Sequence, residues 1–253
     1  MGLRTLELDR DGPILRVSLN RPEARNALND EVLTEIETLF GGLRDRFDVK
    51  VVVLGGRGAS FSAGADRKRP PGRGGTGERD RRWRAGVGYR ACQAIADCEA
   101  ITVARLHGHV IGGGLALALA CDFRVAVART RFRFPEVDLG LPLTWGTVPR
   151  LIHEIGAARA RELILLSEWF DAERAHEWGV VHRVVAGPEL DQAVGELAAR
   201  LAAKPELAAH ITKTQFRAYA RPIGDASLAD VDMLALGSRS AAALESFPTP
   251  RPD

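Results

Sequence analysis

Ile101-Thr102-Val103-Ala104-Arg105-Leu106-His107-Gly108-His109-Val110-Ile111-Gly112-Gly113-Gly114-Leu115-Ala116-Leu117-Ala118-Leu119-Ala120-Cys121 is the stretch that decides the fold. It begins as a strand over Ile101–Leu106 and breaks at Gly108. It then passes three consecutive glycines into Leu115–Cys121, which has almost no polar side chain. A helix apolar on every side has to be buried on every side. Phe123–Val127 follows with a second strand pattern. Upstream, Thr5–Leu8, Ile14–Leu19 and Val51–Leu54 also read as strands. Between the last two, Val32, Leu33, Ile36, Leu39, Phe40 and Leu43 recur at helical spacing. Asn29 stands where an N-cap is needed, and Asp30 and Glu31 suit the positive end of that helix. Strand, helix and strand in alternation predict an α/β fold.

The glycines also carry a chemical possibility. Gly112-Gly113-Gly114 opens a helix, where free N–H groups and a partial positive charge meet. Phe61-Ser62-Ala63-Gly64-Ala65-Asp66 is a second glycine-bearing turn, after the strand Val51–Leu54 and its loop. Two such N–H groups converging on one oxygen would form an oxyanion hole. Each run alone also reads as nothing more than a tight turn. Glu136 lies in Phe134-Pro135-Glu136-Val137-Asp138-Leu139-Gly140-Leu141, a carboxylate among apolar neighbours, where burial would raise its pKa into an acid–base range. Read alone, it is equally a surface residue of a first helical turn.

The remainder of the chain excludes several classes. Its 253 residues suffice for one domain with a full core, or one domain with a helical appendage. The formal net charge of +2 argues neither for nor against a nucleic-acid partner, and none is expected; the 35 basic residues, 31 of them Arg, reflect coding bias. Cys92, Cys98 and Cys121 lack metal-ligand spacing, and Met1–Arg10 lacks an apolar signal core. A reduced, cytoplasmic protein is therefore expected. The longest apolar run is too short to span a bilayer, so no membrane partner is expected. His107 and His109 have no third ligand spaced near them, and no metal is expected. Residues 67–88, rich in Gly, Pro and Arg, read as a long exposed loop leading into a helix around Tyr89–Asp97. Helical patterns then cover Ala157–Leu166, Asp171–Trp178, Glu189–Ala203 and Pro205–Ala220. Pro248–Asp253 reads as a disordered tail.

Together these pieces resemble the crotonase superfamily, the enoyl-CoA hydratases and isomerases. Asn20-Arg21-Pro22-Glu23-Ala24-Arg25-Asn26-Ala27-Leu28 resembles the N-terminal signature of that family. Phe61–Asp66 and His107–Gly114 resemble its two oxyanion motifs. Pro135-Glu136-Val137 with Gly140-Leu141-Pro142 resembles its catalytic-acid segment. Glu173-Arg174-Ala175 through Gly179-Val180-Val181 resembles a downstream pattern. The likeness runs over roughly residues 3–220.

The resemblance implies repeated β-β-α units over residues 1–195, with a helical region and tail over 196–253 that builds a homotrimer or a dimer of trimers. It implies an acyl-CoA thioester as substrate, an oxyanion hole from the N–H groups of Ala65 and Gly113, and Glu136 as the catalytic acid/base. Contacts to coenzyme A are expected at Ala24, Arg25, Ala63, Asp66 and Lys68. Lys213 is expected to reach a neighbouring subunit's nucleotide. No cofactor is expected beyond the coenzyme A of the substrate. One position departs from the pattern: hydratases of this family carry a second glutamate where this chain has Ala116. A single carboxylate suits moving a proton between carbons better than adding water, so isomerase-like chemistry is expected. Asp138 is expected to be structural, and Trp145 either lines the acyl pocket or belongs to the core. A weak acyl-CoA-binding protein and an RNA-binding relative of the fold are the alternatives.

Overall fold

The computed structural model describes residues 2–224 together with Glu245. β1 (Leu6–Asp11) and β2 (Ile14–Leu19) form an antiparallel hairpin at one edge of the main sheet. β3 (Val51–Gly56), β4 (Ile101–Leu106), β6 (Phe123–Val127) and β9 (Arg183–Val185) continue it in parallel, in the order β1-β2-β3-β4-β6-β9. A second sheet of three short strands is made by β5 (His109–Ile111), β7 (Arg131–Arg133) and β8 (Phe170–Asp171).

Parallel strands are joined by crossovers and become covered on both faces. That is why Val51-Val52-Val53-Leu54 is apolar without alternation. Val52 and Leu54 face the larger core, with α1 (Asp30–Gly41), α3 (Val87–Ala96) and α4 (Gly113–Leu119). Val51 and Val53, with Ile14, Val103 and Val125, face Leu190, Val194 and Ala198 of α8 (Leu190–Ala202). α4 is buried from Gly114 through Leu119, as its composition requires. Asn29 caps α1 by accepting the Val32 N–H at 3.1 Å.

The β-β-α repeat is visible where a strand of the main sheet turns into the small one and then into a helix. β4-β5-α4 is one such unit, and β6-β7 leading to α5 (Thr147–Ile155) is another. Gly108 makes the first turn possible: its φ is +61°, and a Cβ there would strike the carbonyl of Ala59. α6 (Ala157–Leu165), α7 (Ala172–Glu177), α8 and α9 (Glu206–Gly224) lie close to the expected bounds.

One expectation is corrected. The segment read as a continuous exposed loop over 67–88 contains α2 (Glu78–Ala85), which buries none of its residues. It has no apolar stripe to betray it. Glu78 and Asp80 sit in its first turn and Arg82 and Arg84 in its last, the arrangement that suits the helix dipole. Asp80 and Arg84 also pair one turn apart at 3.1 Å. The expected tail, Pro248–Asp253, lies outside the described residues. No helix among the described residues is long and apolar enough to cross a membrane.

Candidate active site

The two glycine turns are joined by backbone pairing, which begins with the Phe61 N–H donating to the His107 carbonyl at 2.9 Å. Ser62 and Val110 form a parallel bridge, with the Ser62 N–H donating to the His109 carbonyl at 3.0 Å and the Ile111 N–H donating to the Ser62 carbonyl at 3.1 Å. Ala65 lies three residues beyond one partner and Gly113 three residues beyond the other. Close contacts keep the segments together on the way. A Cβ at Gly64 would lie 2.8 Å from the Ile111 carbonyl oxygen, and one at Gly114 would lie 2.7 Å from Cβ of Ser62.

Each candidate amide is left available by its setting. Ala65 pairs with Leu28 through its neighbours: the Leu28 N–H donates to Gly64 O, and the Asp66 N–H donates to Leu28 O, both at 2.8 Å. A parallel bridge of this kind turns the N–H of the central residue to the opposite side. Gly113 is the first residue of α4, whose ladder begins with the Ala116 N–H donating to Gly112 O at 3.0 Å. First-turn N–H groups have no acceptor within their helix, and the dipole adds positive charge there.

The Phe61–Asp66 turn is braced from the N-terminal signature. Arg25 and Asn26 are both held at positive φ, +50° and +54°. The buried Asn26 side chain donates to the carbonyls of Arg57 and Ser60 and accepts from the Arg21 N–H. The Arg25 carbonyl accepts from Ala63 at 2.9 Å, and Ser62 Oγ donates to Asn26 O at 2.8 Å.

Glu136 follows β7 and Pro135. Its carboxylate lies against Gly112, so closely that a Cβ on that glycine would strike Oε1. The residue is half-buried as a whole, but Oε2 is enclosed and has no hydrogen-bond partner among the described residues. Burial raises its pKa to about 7, against smaller opposing effects of a backbone N–H and Arg133. Asp138 turns to Arg133 at 2.5 Å and is half-exposed, so it is an ion-pair partner and not a second acid beside Glu136. Ala116 is buried within α4 and offers no proton. Trp145 is buried and packs on the Cα positions of Gly113 and Gly88.

The expected coenzyme contacts divide. Ala24 and Ala63 are half-buried, and Arg25 and Lys68 are exposed, which leaves these four open to a ligand. Asp66 is turned inward. It pairs with Arg21 at 3.0 Å and accepts the N–H groups of Lys68 and Arg69 at 3.0 and 3.1 Å. Its desolvation favours the neutral acid, but the Arg69 N–H, the Arg21 guanidinium and the Lys68 N–H outweigh it and hold the pKa below the usual carboxylate value. Its carboxylate organises the loop. Lys213 also departs from expectation. It is buried, and its ammonium donates to Ala100 O and Asp122 Oδ2, both at 2.7 Å, instead of pointing outward. The Asp122 carboxylate draws it in.

His107 and His109 are packed and hydrogen-bonded. His107 Nε2 lies 2.9 Å from Gly58 O, and His109 Nδ1 lies 3.2 Å from Ser60 Oγ. A cavity of about 1080 Å³ lies elsewhere, between α9 and the helices α3 and α5, lined by Tyr89, Gly146, Arg150, Leu119 and Phe216 among others. Sequence reasoning did not foresee the Ser62–Val110 bridge, the bracing by Asn26 or the contact of Trp145 with Gly113. Only the run of small residues at 112–114 hinted at close neighbours.

Known proteins resemble this chain in sequence and in fold. The family model for enoyl-CoA hydratase/isomerase matches residues 9–238. A crotonyl-CoA hydratase of Syntrophomonas wolfei is 31% identical over 214 residues, 84% of this chain and 81% of that protein. A carnitinyl-CoA dehydratase of Salmonella heidelberg is 34% identical over 215 residues, 85% of this chain and 80% of that protein. The crystal structure of an enoyl-CoA hydratase from Mycobacterium avium subsp. paratuberculosis K-10 superposes with a TM-score of 0.88 at 27% identity, covering 97% of this chain and 95% of the other. The chain therefore belongs to the enoyl-CoA hydratase/isomerase family and has the crotonase fold.

Proposed function

We propose that this enzyme acts on an enoyl-CoA thioester through its enolate, with the N–H groups of Ala65 and Gly113 holding the oxygen and Glu136 carrying the proton. The observation that supports this most directly is the position of the Glu136 carboxylate. It rests on Gly112, the residue next to one proposed donor. A thioester is a weak carbon acid until its oxygen can bear negative charge. Donors aimed at that oxygen typically contribute ~10²–10³ each in rate.

Double-bond migration is the reaction we favour. Glu136 takes a proton from the α-carbon of a 3-enoyl thioester, and the electrons delocalise onto the thioester oxygen. Returning the proton at the γ-carbon gives the 2-enoyl isomer. One carboxylate suffices for both transfers. Addition of water needs a group to activate water and a proton source, and Ala116 supplies neither. The names of the hydratase and dehydratase relatives favour hydration as a second reading. A side-by-side assay of 3-enoyl and 2-enoyl thioesters separates the two. Faster migration than water addition is expected. Glu136→Gln should abolish migration while CoA-ester binding by calorimetry survives, and unchanged turnover would remove Glu136 from the mechanism.

The coenzyme would run along Ala24, Arg25 and Ala63, with Lys68 near the phosphates. A homotrimer, or a dimer of trimers, would cover apolar side chains that a single chain leaves exposed: Leu207, Ile211 and Phe216 on α9, and Leu165, Leu166 and Trp169. Sedimentation should give three or six times the chain mass of 27.4 kDa; a monomer would refute this assembly.

A further inference from the structure

Trp145 is the residue that the proposed chemistry does not use and the structure holds most deliberately. Its φ is +62°, a left-handed conformation that a bulky side chain rarely adopts. Such outliers persist only where the surroundings impose them, and they gather at ligand sites. Here the restraint is visible. Arg150 Nη1 donates to the Trp145 carbonyl at 2.9 Å, and its Nη2 donates to Gln93 Oε1 on α3 at 3.1 Å. The same helix supplies Gly88, whose missing side chain leaves room for the indole.

The place where the indole is held follows from two consecutive glycines. The Glu136 carboxylate touches Gly112, and the Trp145 ring touches Gly113. An acyl group with its carbonyl oxygen on the Gly113 N–H and its α-carbon before Glu136 would have that ring as a neighbour. The large cavity includes Tyr89 and Gly146 in its lining, each the next residue after one member of the Gly88–Trp145 contact. The indole thus touches the Gly113 turn, and the residue after it, Gly146, lines a space roomy enough for a long alkyl chain.

We propose that Trp145 determines acyl-chain length: its indole closes the acyl site against the cavity beneath α9 and restricts the enzyme to short acyl groups. This rests on the acyl-CoA reading of the Gly113 turn.

The test uses saturated acyl-CoAs of four to twelve carbons, whose binding needs no turnover, and the matching 3-enoyl-CoAs, whose kcat/KM is measured in parallel. Trp145→Gly removes the ring and places at this φ the residue best suited to it. Trp145→Phe keeps a smaller ring and guards against a fold lost with the indole. The wild-type enzyme should bind the four-carbon ester at least tenfold more tightly than the ten-carbon one. Trp145→Gly should erase or reverse that ratio, and Trp145→Phe should fall between. Parallel chain-length profiles in all three proteins would overturn the proposal, as would a wild type that prefers ten carbons. Turnover of no enoyl-CoA, with the binding profile shifted as stated, would instead refute the reaction and leave the chain-length role standing. Binding of no acyl-CoA at all would overturn both.

Discussion

Glu136 carries a pH signature that can be read in two ways. Its pKa is raised from the ordinary 4.5 to about 7 because burial penalises the anion. In the proposed role of base it would work ionised, so kcat/KM on a 3-enoyl-CoA should climb with pH and level off above an apparent pKa near 7. Stability runs the other way. A carboxyl whose folded pKa lies above its unfolded one stabilises the fold fully below the unfolded value, and that contribution is lost as pH rises through the folded one. The wild type should therefore lose up to roughly 3 kcal/mol between pH 4.5 and 7 from this residue. Urea titrations of wild type and Glu136→Gln across that window should show the two nearly level at pH 4.5 and the variant increasingly the more stable as pH rises. Two parallel pH curves would mean that the carboxyl is solvated.

At the scale of elements, Arg124 of β6 joins three parts of the fold. Its side chain is fully buried, donates to Val180 O and Cys121 O, both at 2.7 Å, and pairs with Glu154 of α5 at 2.6 Å. Arg124→Met should cost roughly 3 kcal/mol, because it leaves the carbonyls of Val180 and Cys121 buried without their donor, while the exposed Glu154 returns to water. A urea midpoint within error of wild type would refute this. Nothing in the sequence marked Arg124 among 31 arginines, since its importance arises only when β6, α5 and the Val180 turn meet. The same limit governs other elements. Val51–Leu54, Ile101–Leu106 and the helix after Gly112 were legible because strand and helix burial write an apolar pattern into the chain. β5, β7, β8 and β9 were not, for two or three residues are too few to show a period. α2 was missed because it buries no face. The site was half legible in the same way. The glycines and Glu136 could be named, but the Ser62–Val110 pairing that brings the turns together is a long-range contact without a local sign.

Across the whole molecule, the last described helix is tied to the sheet by charge. α9 buries Lys213 against Asp122 and Ala100, and Arg217 reaches Glu99 at 3.2 Å. Asp122 also accepts the N–H and the hydroxyl of Thr102 at the head of β4. Lys213→Met should loosen α9 selectively. Hydrogen exchange should accelerate about tenfold in Glu206–Gly224 while β2 and β3 keep their protection, because a peripheral helix opens at lower cost than the central strands. Uniform acceleration would show that α9 and the core open together.

The bridge between Ser62 and Val110 has a consequence for how this enzyme can change over generations. The proposed charge-bearing half of its catalyst is peptide backbone, which nearly every amino acid supplies alike. Exchanges around it can rewrite which substrate enters and where a proton lands without ever deleting a donor; short of a proline at 65 or 113, that half can be lost only by pulling the two turns apart.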